Sequence, residues 1–205
     1  AEISAATGRP AHSVVFDVTS PDAVDAGVAE VESLVGVVDI LVNNAGIQRR
    51  APIAEFTTED WNDLVATNLS SAFYLSRRVA AGMIARGSGK LVQIGSVQSQ
   101  LARPSIAAYS ATKGAIVMFT KGLCADLGPR GIQANAIAPG YFATELTKAL
   151  VDDETFSAWV RGRTPAGRWG DTGDLIGALV FLSSSASDFV NGQTLFVDGG
   201  MTAVV

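Results

Sequence analysis

The chain of 205 residues is 48% hydrophobic and sets 15 basic against 20 acidic residues, a formal net charge of −5. That length suits one domain with a sizeable core and is short for two, and its scattered Lys and Arg argue against nucleic acid or an anionic membrane as the main partner. No signal-peptide pattern and no run of about 18 apolar residues is present. The single cysteine, Cys124, lies inside the apolar run "IVMFTKGLCADL", so no disulfide framework exists and it reads as a packing thiol. A soluble protein of the reducing cytoplasm is expected.

In chain order, "HSVVFDV" (His12 to Val18) reads as a strand and Pro21 to Val35 as a helix. "VDILVNN" (Val38 to Asn44) is the next strand, followed by a long helix from Glu59 to Arg86 that Thr57 and Asp60 open in the manner of a capping box. "KLVQIGS" (Lys90 to Ser96), a helix from Ile106 to Leu127, and "IQANAIAPG" (Ile132 to Gly140) continue the alternation. A helix from Asp174 to Ser184 and "TLFVDGG" (Thr194 to Gly200) complete it. Each strand carries the continuous apolar character of a strand buried on both faces. Alternation of this kind predicts an α/β fold with a doubly wound parallel sheet, residues 1–205 forming one domain. Residues 141–174, rich in Thr, Arg, Gly and Trp after a strand end, are placed where a substrate lid would lie.

Ligands of such sheets sit beyond the carboxyl ends of the strands. Those ends carry Asp17, the "NNAG" of Asn43 to Gly46, Ser96, the Pro139–Gly140 pair and the "DGG" of Asp198 to Gly200. Glycine admits close approach of backbone to ligand, and Asp or Asn can accept from an adenine amino group or a ribose hydroxyl, although each such triplet is also an ordinary turn former. Asn68, seven residues after Trp61, falls in the helical apolar stripe marked by Trp61, Leu64, Val65, Leu69 and Phe73; a buried amide there needs partners. In "YSATKGAIVMF", Tyr109 and Lys113 stand one helical turn apart on one face.

"NNAG", a Ser at the end of the following strand, Tyr-x-x-x-Lys beginning at Tyr109, and "PG" followed by Thr144 together resemble the short-chain dehydrogenase/reductases over essentially the whole chain. The resemblance implies a Rossmann-like domain, a nicotinamide cofactor and four catalytic residues, Asn68, Ser96, Tyr109 and Lys113. Tyr109 would move a proton to or from the substrate oxygen, and Ser96 would bond that oxygen. Lys113 would favour the phenolate and hold the nicotinamide ribose, while Asn68 would hold a relay water through its helix backbone. Asp17 and Val18 would meet adenine; Asn44, Ala45 and Gly46 the adenosine side; Pro139, Gly140 and Thr144 the nicotinamide and pyrophosphate.

"NNAGIQRRAPI", "APGYFATEL", "TPAGRWGD" and "ASDFVNGQTLFVDGGMTA" are similar to one branch of that family, the gluconate 5-dehydrogenases. That likeness implies a sugar acid, whose carboxylate calls for a cation. Arg49, Arg50, Arg163 and Arg168 are the chemically available clamp, with Gln98, Tyr141 and Trp169 as further candidates for the substrate pocket. A 3-oxoacyl-thioester reductase and a non-catalytic nucleotide-binding protein of the same fold are the alternatives. The likeness also implies NADP or NAD, with NADP favoured, no metal, and a homotetramer paired through the two long helices. The family's glycine-rich turn T-G-x-x-x-G-x-G does not stand before "AEISAATGRP", and "GSGKL" lacks a preceding strand and the Ser/Thr of a phosphate loop. The expectation is therefore a fragment of an enzyme of about 250 residues that binds a dinucleotide weakly by itself.

Overall fold

The computed structural model describes residues 2–205, the side chain of Leu146 excepted. Helices α1 (Glu2–Thr7) and α2 (Pro21–Val35) precede strand β1 (Ile40–Asn43). Helix α3 (Thr58–Val65), a π-turn at Ala66–Ser70 and α4 (Ser71–Arg86) lead to β2 (Gly89–Ile94). Helix α5 (Ala107–Leu127) leads to β3 (Ile132–Pro139), and α6 (Lys148–Val151), α7 (Glu154–Arg163) and α8 (Ile176–Ser183) to β4 (Thr194–Val197).

All four strands pair in parallel in the order β1-β2-β3-β4. Parallel neighbours need long crossovers, and here each crossover carries helix, as the alternation predicted. Side chains of a strand point alternately to the two faces. Leu91 of β2 and Ala134 of β3 meet Val24 and Val28 of α2 and Val79 and Met83 of α4 on one face. Val92 and Ile137 meet Leu182 of α8 on the other. Helices on both faces of a parallel sheet make this a Rossmann-like α/β fold. Leu91 is 1% exposed, and its truncation to Ala is expected to cost about 2–5 kcal/mol through lost burial and the cavity left behind. Urea unfolding of the parent and of Leu91→Ala checks this.

The segment from His12 to Val18 is not a strand. It has no ladder partner, with Val15 94% exposed, and only Phe16 joins the core, packing against Gly27 of α2. Strand identity depends on a neighbour to share hydrogen bonds, which apolar pattern alone does not supply. The single long helix expected from Glu59 is interrupted by the π-turn, where Ser71 N–H donates to Ala66 C=O, an i→i+5 bond. Thr57 caps α3 by accepting from Asp60 N–H. Trp61 and Phe73, read as part of a buried stripe, are 44% and 45% exposed, whereas Leu64 and Asn68 are buried. Helix α8 begins two residues later than expected, after a 3-10 turn at Thr172–Leu175.

Beneath the site, the carboxyl ends of β1 and β2 are locked by buried polar side chains. Asn43 Nδ2 donates to Gln93 Oε1 and to Ser76 Oγ of α4, both at 3.0 Å. The first Asn of "NNAG" thus belongs to the sheet interior, and the loop from Asn44 onward is launched from a fixed point.

Candidate active site

Tyr109 lies in the first turn of α5, and Lys113 one turn on, as their spacing requires. Ser96 ends the strand region of β2 and caps the short turn Val97–Ser99, its Oγ accepting from Gln98 N–H at 3.1 Å. This turn packs beside α5, which brings Ser96 against the Tyr109 phenol. Lys113 is 6% exposed; its Nζ donates to Ile94 C=O at 2.7 Å and stands 5.8 Å from the centre of the Tyr109 ring. One of three ammonium donors is thereby used, and the others remain for a ligand.

Electrostatics follow from burial. Desolvation pushes the Tyr109 phenol above its ordinary value of 10, opposed in part by the neighbouring Ser96 hydroxyl and by the Arg50 charge. Burial also brings the Lys113 ammonium down to about 8. At neutral pH the pair is therefore a protonated phenol beside an ammonium, a proton donor ready for a developing oxyanion.

Asn68 sits in the π-turn, 2% exposed. Its Oδ1 accepts from Ile47 N–H at 2.8 Å, while Nδ2 donates to Ile47 C=O at 3.0 Å and to Thr112 Oγ1 at 3.3 Å. Both donors of the side-chain amide and one acceptor position are engaged in clamping the loop after β1 to α5. Any relay through Asn68 must use its backbone.

A cleft of about 360 Å³ opens beyond the strand ends, with Ser96, Tyr109 and Lys113 on one side and Gly140 and Thr144 on another. Asn44, Gly46 and Pro139 also line it. A Cβ on Gly140 would come within 2.8 Å of Asp198 Cα, so only glycine lets the end of β3 run this close to the chain after β4. Of the residues expected to meet a dinucleotide, Asp17, Val18 and Ala45 lie outside this lining. Asp17 is exposed, and its Oδ1 already accepts from Thr19 N–H at 2.8 Å and Thr19 Oγ–H at 2.7 Å. Those bonds hold its carboxyl below the usual range. The donors left on Lys113, the phenol and the Gly140 wall suit the ribose and ring of a nicotinamide.

A narrower recess of about 70 Å³ adjoins the cleft and shares Ser96 and Tyr109 with it; Arg50, Gln98, Arg103 and Tyr141 complete its working walls. Gln98 Nε2 donates to Tyr141 Oη at 3.3 Å. Three of the seven substrate candidates, Arg50, Gln98 and Tyr141, thus converge on the phenol, whereas Arg163 does not line this recess and donates from Nη2 to Val204 C=O at 3.0 Å. Arg49 does not: its guanidinium pairs with Asp60 at 3.2 Å and Asp63 at 3.5 Å. Arg168 is held by both carboxylate oxygens of Asp174 at 2.7 and 3.0 Å. Trp169 donates from Nε1 to Ser157 Oγ at 3.0 Å and packs edge-on against Tyr141, within an aromatic cluster that includes Phe156. Arg103 was not anticipated. It stands in the loop between Ser96 and Tyr109, and the rule that chemistry gathers beyond strand ends would have found it had the whole loop been considered.

A family model described as enoyl-(acyl carrier protein) reductase, a short-chain dehydrogenase/reductase model, matches residues 1–202. The chain is 59% identical over 197 residues to the gluconate 5-dehydrogenase of Gluconobacter oxydans, covering 96% of this chain and 77% of the relative. It is 54% identical over 198 residues to the 5-keto-D-gluconate 5-reductase of Escherichia coli K12, covering 97% and 78%. Among solved structures, a gluconate 5-dehydrogenase from Burkholderia cenocepacia in complex with NADP and tartrate aligns with a TM-score of 0.96 at 58% identity, covering all of this chain and 80% of that one.

Proposed function

Because this chain belongs to the short-chain dehydrogenase/reductase family, we propose that it transfers a hydride between a nicotinamide cofactor and a sugar acid, interconverting D-gluconate and 5-keto-D-gluconate. One observation carries the reading: Ser96, Tyr109 and Lys113 meet at a single cleft, beside a recess that also holds Arg50. NADP is the cofactor we favour, since it is bound in the Burkholderia relative and in a second gluconate 5-dehydrogenase relative. The tartrate in the first is a hydroxy acid, which supports an acid as substrate.

A nicotinamide held by Lys113 and the Gly140 wall would supply or take up the hydride at the substrate carbon. In the reducing direction Tyr109 O–H gives its proton to the carbonyl oxygen, and Ser96 O–H donates to the same atom and shares the charge that develops there. Lys113, 5.8 Å from the phenol ring centre, stabilises the phenolate left behind and offers its free donors to the cofactor ribose. In the oxidising direction the phenolate takes the proton back. Since burial raises the Tyr109 pKa, oxidation of gluconate is expected to quicken with pH above neutrality and reduction to slow. Paired pH–rate profiles in the two directions check the opposite slopes.

The same reading takes residues 1–205 as one domain with 141–174 as its lid; the Tyr141 and Phe156 contact at 5.6 Å and the α6 and α7 helices support a formed cover over the recess. A cytoplasmic homotetramer is part of the proposal. The exposed Trp61, Phe73 and Met118 on α3, α4 and α5 support pairing through these helices, and light scattering tests it. No helix among the described residues is long and apolar enough to cross a membrane.

A panel of sugar acids, polyols and 3-oxoacyl thioesters, run with NADP and NAD, tests the substrate. Gluconate should exceed neutral glucose by more than about tenfold in kcat/KM, because a cationic site binding a neutral analogue leaves its charge unpaired. Preference for a 3-oxoacyl thioester would reassign the protein to acyl-chain reduction.

A further inference from the structure

We propose that Arg103, together with Arg50, receives the carboxylate of the substrate, so that the loop from Leu101 to Ile106 selects an acid over a neutral polyol. The inference rests on the reading of the Tyr109 cleft as an alcohol–ketone oxidoreductase site and adds to it the place where the far end of the substrate is held.

Arginine pairing within the chain is the first ground. Arg49, Arg77, Arg78, Arg86, Arg161 and Arg168 each have an aspartate or glutamate within 4.0 Å. Arg103 has none among the described residues, although it is only partly exposed and its Nε is buried without a hydrogen-bond partner. Its guanidinium lies over the Phe156 ring, 5.3 Å from the centroid, a contact that fixes the plane but leaves the in-plane donors unused. Arg50 lines the same recess and spends one donor on Gln48 Oε1 at 2.6 Å. Burial lowers the Arg50 pKa and the Arg103 charge lowers it further, so the two cations repel across a space that holds no internal anion. A carboxylate there would relieve the repulsion and could accept from both forks.

Position is the second ground. The recess containing Arg50 and Arg103 also contains Ser96 and Tyr109, so an anion bound to the arginines belongs to the molecule whose carbon faces the phenol. Gln98, 9% exposed, leaves Oε1 buried and without a partner between them, a free acceptor for a hydroxyl along a polyol chain. A second recess of about 140 Å³, lined by Gln98, Arg103, Tyr141 and Arg163, lies on the far side of Arg103.

Local strain is the third. Ser105 has φ 68°, the one non-glycine residue with positive φ among the described residues. Such backbone persists only where its surroundings hold it. Ser105 C=O accepts from Ala51 N–H at 3.2 Å, which ties the Arg103 loop to the loop bearing Arg50.

The test compares the parent with Arg103→Gln and Arg103→Lys, all checked for equal thermal melting, on gluconate and on a neutral hexitol. Arg103→Gln is expected to lower the ratio of gluconate to hexitol kcat/KM by about thirtyfold, through KM for gluconate, the scale of one lost charge-assisted bond pair. Arg103→Lys should restore part of it, and KM for the cofactor should hold in both. Inhibition by malonate, a carboxylate with no carbonyl to reduce, supplies a second readout and should weaken at least tenfold in Arg103→Gln even where the hexitol is not turned over. An equal loss on both substrates, or an unchanged malonate constant, would overturn the assignment. Tyr109→Phe in the same series separates the two levels: if it leaves turnover intact, the oxidoreductase reading of the cleft fails, whereas loss of turnover in Tyr109→Phe with an unchanged acid preference in Arg103→Gln refutes only the carboxylate site.

Discussion

Tyr109→Phe is expected to lower turnover by at least about a hundredfold in both directions, while the affinity for the nicotinamide cofactor changes little. The substitution removes one oxygen and leaves the ring, so packing in the first turn of α5 survives. What is lost is the phenol that stands with Ser96 and Lys113 in the cleft, and with it the proton that a reduced carbonyl oxygen must receive; one positioned acid/base group contributes roughly a hundred- to ten-thousandfold. Ser96 cannot replace it, because a serine hydroxyl bonded near the oxygen can share charge but has no neighbouring group to resupply a proton. Steady-state rates with gluconate and 5-keto-D-gluconate, combined with fluorescence titration of the cofactor, check both halves. Turnover within threefold of the parent would remove Tyr109 from the mechanism.

The second large effect belongs to Lys113. Lys113→Met is expected to damage turnover and cofactor binding together, since the same ammonium stabilises the phenolate and carries the free donors of the cleft. It should also change how stability responds to pH in the absence of ligand. The folded protein holds the Lys113 ammonium at about 8 against an ordinary 10.5, through burial. Below about pH 8 the lysine is charged in both states and the cost of burying that charge is fully present. Between about pH 8 and 10.5 the unfolded chain binds a proton that the folded one does not, so stability rises with pH, by about 3 kcal/mol over the window. Tyr109 acts in the opposite sense above pH 10, because its raised pKa lets the unfolded chain ionise first, but it is present in both proteins and cancels from the comparison. Urea unfolding of the parent and of Lys113→Met between pH 7 and 10.5 should therefore show a difference that shifts in the parent's favour. A flat difference would mean that burial does not govern this ammonium.

The site was legible to different depths for different residues. Tyr109 and Lys113 are separated by a single helical turn, so their convergence needs only a local helix. Ser96 could be placed because it follows an apolar strand, and ligands of parallel sheets gather at that end. Asn68 was found as a polar residue in an apolar stripe, yet the stripe itself was misdrawn: Trp61 and Phe73 face outward, and the π-turn at Ala66–Ser70 shifts the helical phase just where Asn68 sits. Nothing in the spacing of side chains announces an i→i+5 bond.

The arginines mark the limit more sharply. Arg49 and Arg50 are adjacent and chemically alike, but Asp60 and Asp63 of α3 take the first, while the second turns into the recess with Arg103. Arg168 is claimed by Asp174, six residues along. Which cation stays free depends on where carboxylates arrive from other elements.

What the sequence by itself determined is the alternation of strand and helix, the Tyr109–Lys113 pair and, for β2 and β3, burial on both faces, because these rest on hydrophobic period and on spacings within one helix; the same burial expected of β1 and β4 does not hold, Ile40, Val42 and Leu195 being exposed at the sheet edges. Only the tertiary structure decided that His12 to Val18 lacks a ladder, that Asn43 serves the sheet interior, and that Arg103 rather than Arg49 or Arg168 stands unpaired beside the phenol. Each of these depends on a partner distant along the chain, and hydrogen bonds and ion pairs form with whichever group the packing of the whole sheet brings within reach.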